Sequence, residues 1–263
     1  MRIAVHGHRG ARALFPENTL AGFAYAIHAG ADYIEFDTAV TGDDVVVACH
    51  DPVLKRRRCI GPGGTRVIRK MTLEELREFD CGSLKNRRFP RQVSIPGTRI
   101  PTLDEVFALA PLGDFRFNIE VKSFGQKTRY TPPPDAYARM VMEAVRRHWI
   151  EHRVQVQSFD LRILQAVKRL DPEIPLSALC QYERRDFARL ARRAGAGTIG
   201  PYHRLVTRAK VERAHAGGLL VVPWTANRPR DWERLIRTGV DGIITDDPAA
   251  LIEFLKSEEA QAR

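Results

Sequence analysis

Asp32-Tyr33-Ile34-Glu35-Phe36-Asp37-Thr38-Ala39 is the stretch on which the fold turns. In a strand, alternate side chains share a face, so Glu35 and Asp37 point one way while Ile34 and Phe36 point the other. An apolar outer face suits a strand covered by helices. Two acids on the inner face would repel each other and resist desolvation unless something cationic stands near them. His8-Arg9-Gly10 lies before this strand and His50-Asp51 after it. Together these groups point to a metal-assisted acid/base site for an anionic substrate.

Working outward, the same short apolar runs recur. The first is Ile3 to Gly7, ending at His8. Pro16-Glu17-Asn18-Thr19 then opens a helix in which Leu20, Phe23, Ala24 and Ile27 share a face, and Gly30 stops it. After the acid-bearing strand, Val45 to Cys49 forms a further strand or extension leading to His50. From about 53 to 100 the alternation lapses into an insertion containing Gly61-Pro62-Gly63-Gly64, a short helix capped at Thr72 and an irregular basic loop. Thr102-Leu103-Asp104-Glu105 repeats the capping pattern. Strands follow at Phe115 to Lys122, Val154 to Gln157, Leu176 to Cys180, Gly197 to Gly200, Leu219 to Trp224 and Gly242 to Thr245. A helix runs from Asp135 to about His148, and others lie near Leu161, Arg185, Thr207, Arg230 and Pro248.

Strand–helix alternation of this kind implies a parallel sheet. Eight units in 263 residues favour an α/β TIM (β/α)8 barrel, one domain over residues 1–263 with a small insertion after the second strand. An open doubly wound sheet is disfavoured, because no Gly-x-Gly-x-x-Gly follows the first strand.

Composition narrows the function classes. Apolar residues make up 44% and charged residues 28% of the chain, as in a globular protein with a sizeable core. No apolar run approaches the ~20 residues of a membrane-spanning helix. Met1-Arg2-Ile3-Ala4-Val5 enters the first strand directly, so the expectation is a cytoplasmic protein. Cys49, Cys59, Cys81 and Cys180 show no CxxC pair and read as reduced thiols. The formal charge of +10 comes partly from scattered pairs, Arg87-Arg88, Arg146-Arg147, Arg184-Arg185 and Arg192-Arg193. Such pairs read as solvated helix faces and not as a nucleic-acid footprint.

In a barrel, polar residues at the carboxyl ends of the strands form the site. Glu35, Asp37 and Glu120 are oxygen donors suited to one hard divalent cation, Mg²⁺ or Ca²⁺, and less to zinc. His8 and His50 titrate in the right range to serve as acid and base. Arg9 offers a planar fork and Lys122 a point charge to a phosphate, and both are also placed to neutralise the acids. Trp224 and Phe159 fall at strand ends where a pocket wall would stand. His6 is read as structural, and His28, His148, His152, His203 and His215 as lying away from the acids.

HRG at 8–10, PENT at 16–19, EFD at 35–37, HD at 50–51, IEVK at 119–122, QSF at 157–159, WTAN at 224–227 and GVDGIITDDP at 239–248 resemble the glycerophosphodiester phosphodiesterase family, in order and over nearly the whole chain. The resemblance implies hydrolysis of small-molecule glycerophosphodiesters, such as glycerophosphocholine or glycerophosphoethanolamine, to an alcohol and sn-glycerol 3-phosphate. It implies that Glu35, Asp37 and Glu120 hold the metal, that His8 and His50 are the acid/base pair, and that Arg9 and Lys122 hold the phosphate. Trp224 falls in the WTAN string and is taken as substrate-binding. One departure is Leu54-Lys55-Arg56-Arg57-Arg58-Cys59, more basic than the family's usual continuation after His-Asp. A lysophospholipase D-like activity and a non-catalytic phosphodiester-binding barrel are the alternatives.

Overall fold

The computed structural model describes residues 2–124, 129–182 and 186–261. Its strands are β1 (Ala4–His8), β2 (Tyr33–Val40), β3 (Val46–Ala48), β4 (Arg116–Val121), β5 (Val154–Ser158), β6 (Leu176–Cys180), β7 (Thr198–Pro201), β8 (Leu220–Val221) and β9 (Gly242–Thr245). All but β3 run parallel, in the order β8-β7-β6-β5-β4-β2-β1-β9. The remaining seam is bridged where Asp241 N–H donates to Val221 O (3.0 Å) and Ile244 N–H to Pro223 O (2.9 Å). The eight parallel strands thus form a nearly closed TIM-type barrel, the expected fold class. The β8 strand is shorter than the run Leu219 to Trp224 suggests. Pro223 has no N–H to give a ladder, and pairing resumes as a single bridge between Trp224 and Tyr202.

Helices α1 (Leu20–His28), α3 (Leu103–Phe107), α4 (Pro134–Arg147), α5 (Leu161–Leu170), α6 (Phe187–Ala194), α7 (Arg208–Ala216), α8 (Pro229–Thr238) and α9 (Pro248–Gln261) follow successive strands. Ile34 and Phe36 of β2 are fully buried on the outer face, Phe36 against Phe23 of α1 at 5.5 Å between ring centroids. On α1 the buried residues are Gly22, Phe23, Ala26 and Ile27, while Leu20 is exposed. The helix begins at Leu20, capped by the Thr19 hydroxyl, so its first side chain stands at the barrel rim and misses the core. The anticipated helix near Arg185 starts at Phe187, and Arg184-Arg185 lies outside the described residues.

The β3 strand is antiparallel to β2, with Thr38 paired to Ala48; it is a hairpin extension at the rim and not a barrel strand. Beyond it, residues 53–100 contain α2 (Leu73–Arg77) and a second small core of Leu54, Ile68, Met71, Leu76, Phe79 and Ile100 packed with Ala39 and Val47. Thr72 and Thr102 both close complete capping boxes, with Glu75 and Glu105 respectively. One expectation fails here. Cys59 and Cys81 form a disulfide, and the free cysteines are Cys49 and Cys180. The two half-cystines lie 22 residues apart, a spacing with no signature, and come together because Ile60 and Asp80 exchange backbone hydrogen bonds (both 2.8 Å).

Inside the barrel, below the mouth, lies a polar layer. Asn118 Nδ2 donates to Gln157 Oε1 (3.0 Å) and approaches His6 Nδ1 (3.3 Å), whose ring stacks on Tyr33 at 4.0 Å. Burial pushes His6 down to about 3, so it stays neutral. Its structural reading is consistent with that placement.

Candidate active site

Strand register explains why residues distant in sequence meet. His8 is paired with Glu35, and Asp37 with Glu120, across parallel neighbours. At the end of β1 the chain turns sharply through Arg9 (φ 51°) and Gly10 (φ 83°). A Cβ on Gly10 would meet the backbone of Gly22 at 2.7 Å, so only glycine passes beneath α1 there. That turn aims the Arg9 N–H at Glu35 Oε2 (2.9 Å) and lays the guanidinium across Glu17 (Nη1–Oε1 3.0 Å). Arg9 Nε lies 3.1 Å from Asp37 Oδ2 but lacks hydrogen-bond geometry, leaving a buried donor that is ion-paired yet unbonded.

Glu35, Asp37 and Glu120 are all buried and bring one carboxylate oxygen each within 4.8 Å of one another. Lys122 Nζ donates to Asp37 Oδ1 (3.0 Å) and Glu120 Oε1 (2.7 Å), Gln157 Nε2 to Glu35 Oε1 (2.9 Å), and Asn18 Nδ2 to Asp37 Oδ2 (3.1 Å). Burial and the charges of Asp37 and Glu120 raise Glu35 well above the usual carboxylate range. Against the cost of burial, Arg9 and Lys122 hold Asp37 well below it. Two side-chain cations therefore face three carboxylates, and Glu35 is the acid whose ionisation its surroundings compensate least. A divalent cation matches this donor set, which is all oxygen and partly uncompensated.

The two histidines are each tied to a carboxylate. His8 Nδ1 lies 2.6 Å from Asp246 Oδ1. Against the cost of burial, His8 and Arg12 hold Asp246 well below the usual carboxylate range, so it is ionised and accepts. The His8 proton therefore sits on Nδ1, and Nε2 presents its lone pair on the Glu35 side, 3.9 Å from Oε2. Burial and the Arg12 charge push His8 down to about 4, with Asp246 opposing. His50, just past the β3 strand that pairs with β2, places Nδ1 3.0 Å from Asp51 Oδ1 and is partly exposed.

His8, Arg9, Glu35, His50, Glu120, Lys122 and Trp224 all line one pocket of about 840 Å³ at the carboxyl ends of the strands. Asp37 is fully buried beneath it and reaches it only through its partners. Trp224 donates through Nε1 to Gly200 O (2.8 Å), and its ring meets Phe159 (5.5 Å) and Tyr202 (5.6 Å), forming a wall. His203, read from sequence as lying away from the acids, also borders the pocket, although its neighbours there are the β7 and β8 loops. His148 and His215 lie on Asp104 and Asp241.

Several bracing residues escape sequence reasoning. Asp246 also accepts from Arg12 Nε (2.6 Å) and Asn227 Nδ2 (2.7 Å), and Glu17 gathers Arg9 and Arg58. Asp246 has a usable signal, an acid immediately past the last strand. Glu17 has one in the PENT string at 16–19, whereas Arg12 has none, since it lies in a loop. The basic segment at 54–59 turns out to serve this scaffold: Lys55 and Arg58 pair with Asp51, and Arg58 with Glu17.

The barrel mouth thus sets two carboxylate-tied histidines beside a buried cradle of three acids. The Glycerophosphoryl diester phosphodiesterase family model matches residues 8–250. A glycerophosphodiester phosphodiesterase of Caldanaerobacter subterraneus subsp. tengcongensis is 35% identical over 256 residues, covering 97% of this chain and 99% of its own. Among solved structures, a Silicibacter pomeroyi protein assigned to the same family superposes with a TM-score of 0.91 at 34% identity, over 98% of this chain and 94% of its own. An Oleispira antarctica phosphodiesterase, solved in complex with the product sn-glycerol-3-phosphate, shares the fold with a TM-score of 0.82 at 24% identity, over 96% of each chain. The chain belongs to the glycerophosphoryl diester phosphodiesterase family and is an enzyme of that class.

Proposed function

We propose that the enzyme hydrolyses small-molecule glycerophosphodiesters, with glycerophosphocholine and glycerophosphoethanolamine as the first substrates to test, to sn-glycerol 3-phosphate and the free alcohol. The observation that carries this reading is His8, its Nδ1–H fixed on Asp246 and its Nε2 lone pair directed to the pocket beside Glu35. That is the arrangement of a general base. His8 Nε2 takes a proton from the attacking water as the water oxygen bonds to phosphorus, which supplies the hydroxyl that the released sn-glycerol 3-phosphate carries. His50 gives its proton to the departing alkoxide as the other P–O bond breaks, which is needed because an alcohol leaves poorly as an anion.

Glu35, Asp37 and Glu120 would hold one Mg²⁺ or Ca²⁺, which when bound offsets charge on the phosphate oxygens. Arg9 and Lys122 orient the phosphate from the same side, each with donors left after pairing the acids. Trp224 walls the opposite side. We read residues 1–263 as one catalytic unit with 53–100 inserted. No helix among the described residues is long and apolar enough to cross a membrane, in keeping with a substrate taken from solution. Structural disulfides persist mainly in oxidising surroundings, so Cys59–Cys81 weighs against the cytoplasmic expectation.

The test is release of sn-glycerol 3-phosphate from these diesters and from their acylated lyso counterparts, by wild type, His8→Ala and His50→Ala, with chelator and with Mg²⁺ or Ca²⁺ restored. The expected result is metal-restored turnover of deacylated substrates that falls ~10²-fold or more in each variant. Wild-type rates in either variant would sink the acid/base pair.

A further inference from the structure

The charges at the mouth divide by side. Glu35, Asp37 and Glu120 stand on the second and third barrel strands, β2 and β4. In a barrel of eight, the strands opposite these are the sixth and seventh, β7 and β8. The segments that follow β7 and β8 carry Arg204, Arg228 and Arg230, and Arg88 reaches the same pocket from the chain beyond β3. All four are exposed, and among the described residues none of their side chains pairs with a carboxylate. Elsewhere on the surface Arg147, Arg162 and Arg169 close ion pairs with Asp104, Asp160 and Asp135. Asp231 is the one acid lining that half of the pocket among the described residues.

The pocket of about 840 Å³ spans both halves, toward the upper end of what encloses a small ligand. A diester whose phosphorus lies beside His8 and Glu120 extends its far end across Trp224, Tyr202 and Phe159 toward the arginines. Those rings alone would suit a quaternary ammonium. The three guanidiniums carried by the segments after β7 and β8, with Asp231 the one acid beside them, repel one and present forks that match phosphate oxygens.

We propose that this far rim is a second anion site, so that the preferred substrates are glycerophosphodiesters whose leaving alcohol carries a phosphate of its own. The proposal rests on the hydrolytic reading above and specifies the substrate class of that same pocket. The test compares kcat/KM for glycerophosphocholine, glycerophosphoinositol and glycerophosphoinositol 4-phosphate, at low and high salt. The enzymes are wild type, the triple variant Arg204→Gln/Arg228→Gln/Arg230→Gln, and the corresponding triple lysine variant. Wild type should favour the phosphorylated substrate over glycerophosphocholine by about ten-fold or more at low salt, with the margin shrinking as salt rises. The glutamine variant should lose about ten-fold more on the phosphorylated substrate than on glycerophosphoinositol, and the lysine variant should keep much of the preference.

Equal kcat/KM across the three substrates, or a preference that survives in the glutamine variant, overturns the anion site and leaves the hydrolytic reading intact. Release of no sn-glycerol 3-phosphate from any of them overturns both. Sedimentation with phosphatidylglycerol vesicles covers the lipid source of the same chemistry. Vesicle binding lost in the glutamine variant with no change in substrate preference assigns the arginines to a membrane surface and overturns the proposal.

Discussion

Asp246→Asn is the most informative single perturbation of this site. The carboxylate is 1% exposed and takes hydrogen bonds from His8 (2.6 Å), Arg12 (2.6 Å) and Asn227 (2.7 Å). An amide of the same shape keeps the packing but offers one acceptor and a donor where the carboxylate had two acceptors. His8 Nδ1 and Arg12 Nε share one oxygen, Oδ1, so an amide oxygen there leaves His8 only a neutral acceptor, while an amide N–H there forces the imidazole proton onto Nε2 and removes the lone pair from the pocket. Losing a charge-assisted hydrogen bond of this kind costs about 1.5–3 kcal/mol, which at about 1.4 kcal/mol per decade is roughly 10- to 150-fold in rate. The loss should fall on kcat with KM little changed, because Asp246 does not line the pocket. The assay is steady-state release of sn-glycerol 3-phosphate, with circular dichroism and a thermal melt to show that the variant is folded. A folded Asp246→Asn protein with kcat within three-fold of wild type would refute the assignment of His8 as an Asp246-oriented base.

Three further outcomes are expected. Mg²⁺ or Ca²⁺ should raise the melting temperature of the apo protein, since a ligand bound only by the folded state stabilises it, and Glu35→Gln or Glu120→Gln should abolish the rise; an unchanged melt with either ion in the wild type would remove the cation from the cradle. His6 is neutral in the fold and its ordinary value near 6.5 returns on unfolding, so its contribution is complete above pH 6.5 and is lost as pH falls toward 3. His6→Gln should therefore spare about 2 kcal/mol of the stability lost between pH 6.5 and pH 5, measured by urea titration, and equal losses in both proteins would contradict this. Thiol titration of denatured, unreduced protein should find Cys49 and Cys180 only, rising to the chain's 4 cysteines after reduction; four at the outset would show the Cys59–Cys81 pair open.

Much of this architecture can be read from residue order because it depends on local periodicity. The alternation in Ile34-Glu35-Phe36-Asp37 assigns one face to the helices and one to the mouth, and the Thr72 and Thr102 capping boxes announce their helices within four residues. What escapes is set by closure and register. Asp246 stands 238 residues from His8 in sequence, and only the pairing of β1 with β9 makes them neighbours. The bridge between Cys59 and Cys81 depends on a contact between two irregular segments. Leu20 belongs by spacing to the apolar face of α1, yet as the first residue of that helix it stays exposed. The basic run at 54–59 signals a departure in binding preference by composition, while its Lys55 and Arg58 are spent on Asp51 and Glu17.

The meeting of β1 with β9 has a consequence for how the enzyme comes into being. On the ribosome, β1, β2 and β4 emerge early, so His8 and the three acids can be assembled by less than half of the chain. The carboxylate that fixes the His8 tautomer arrives only after β9, the last strand made. A nascent or prematurely terminated chain would thus own the acidic cradle without a correctly poised base, and chemistry at this centre would wait for translation to be complete.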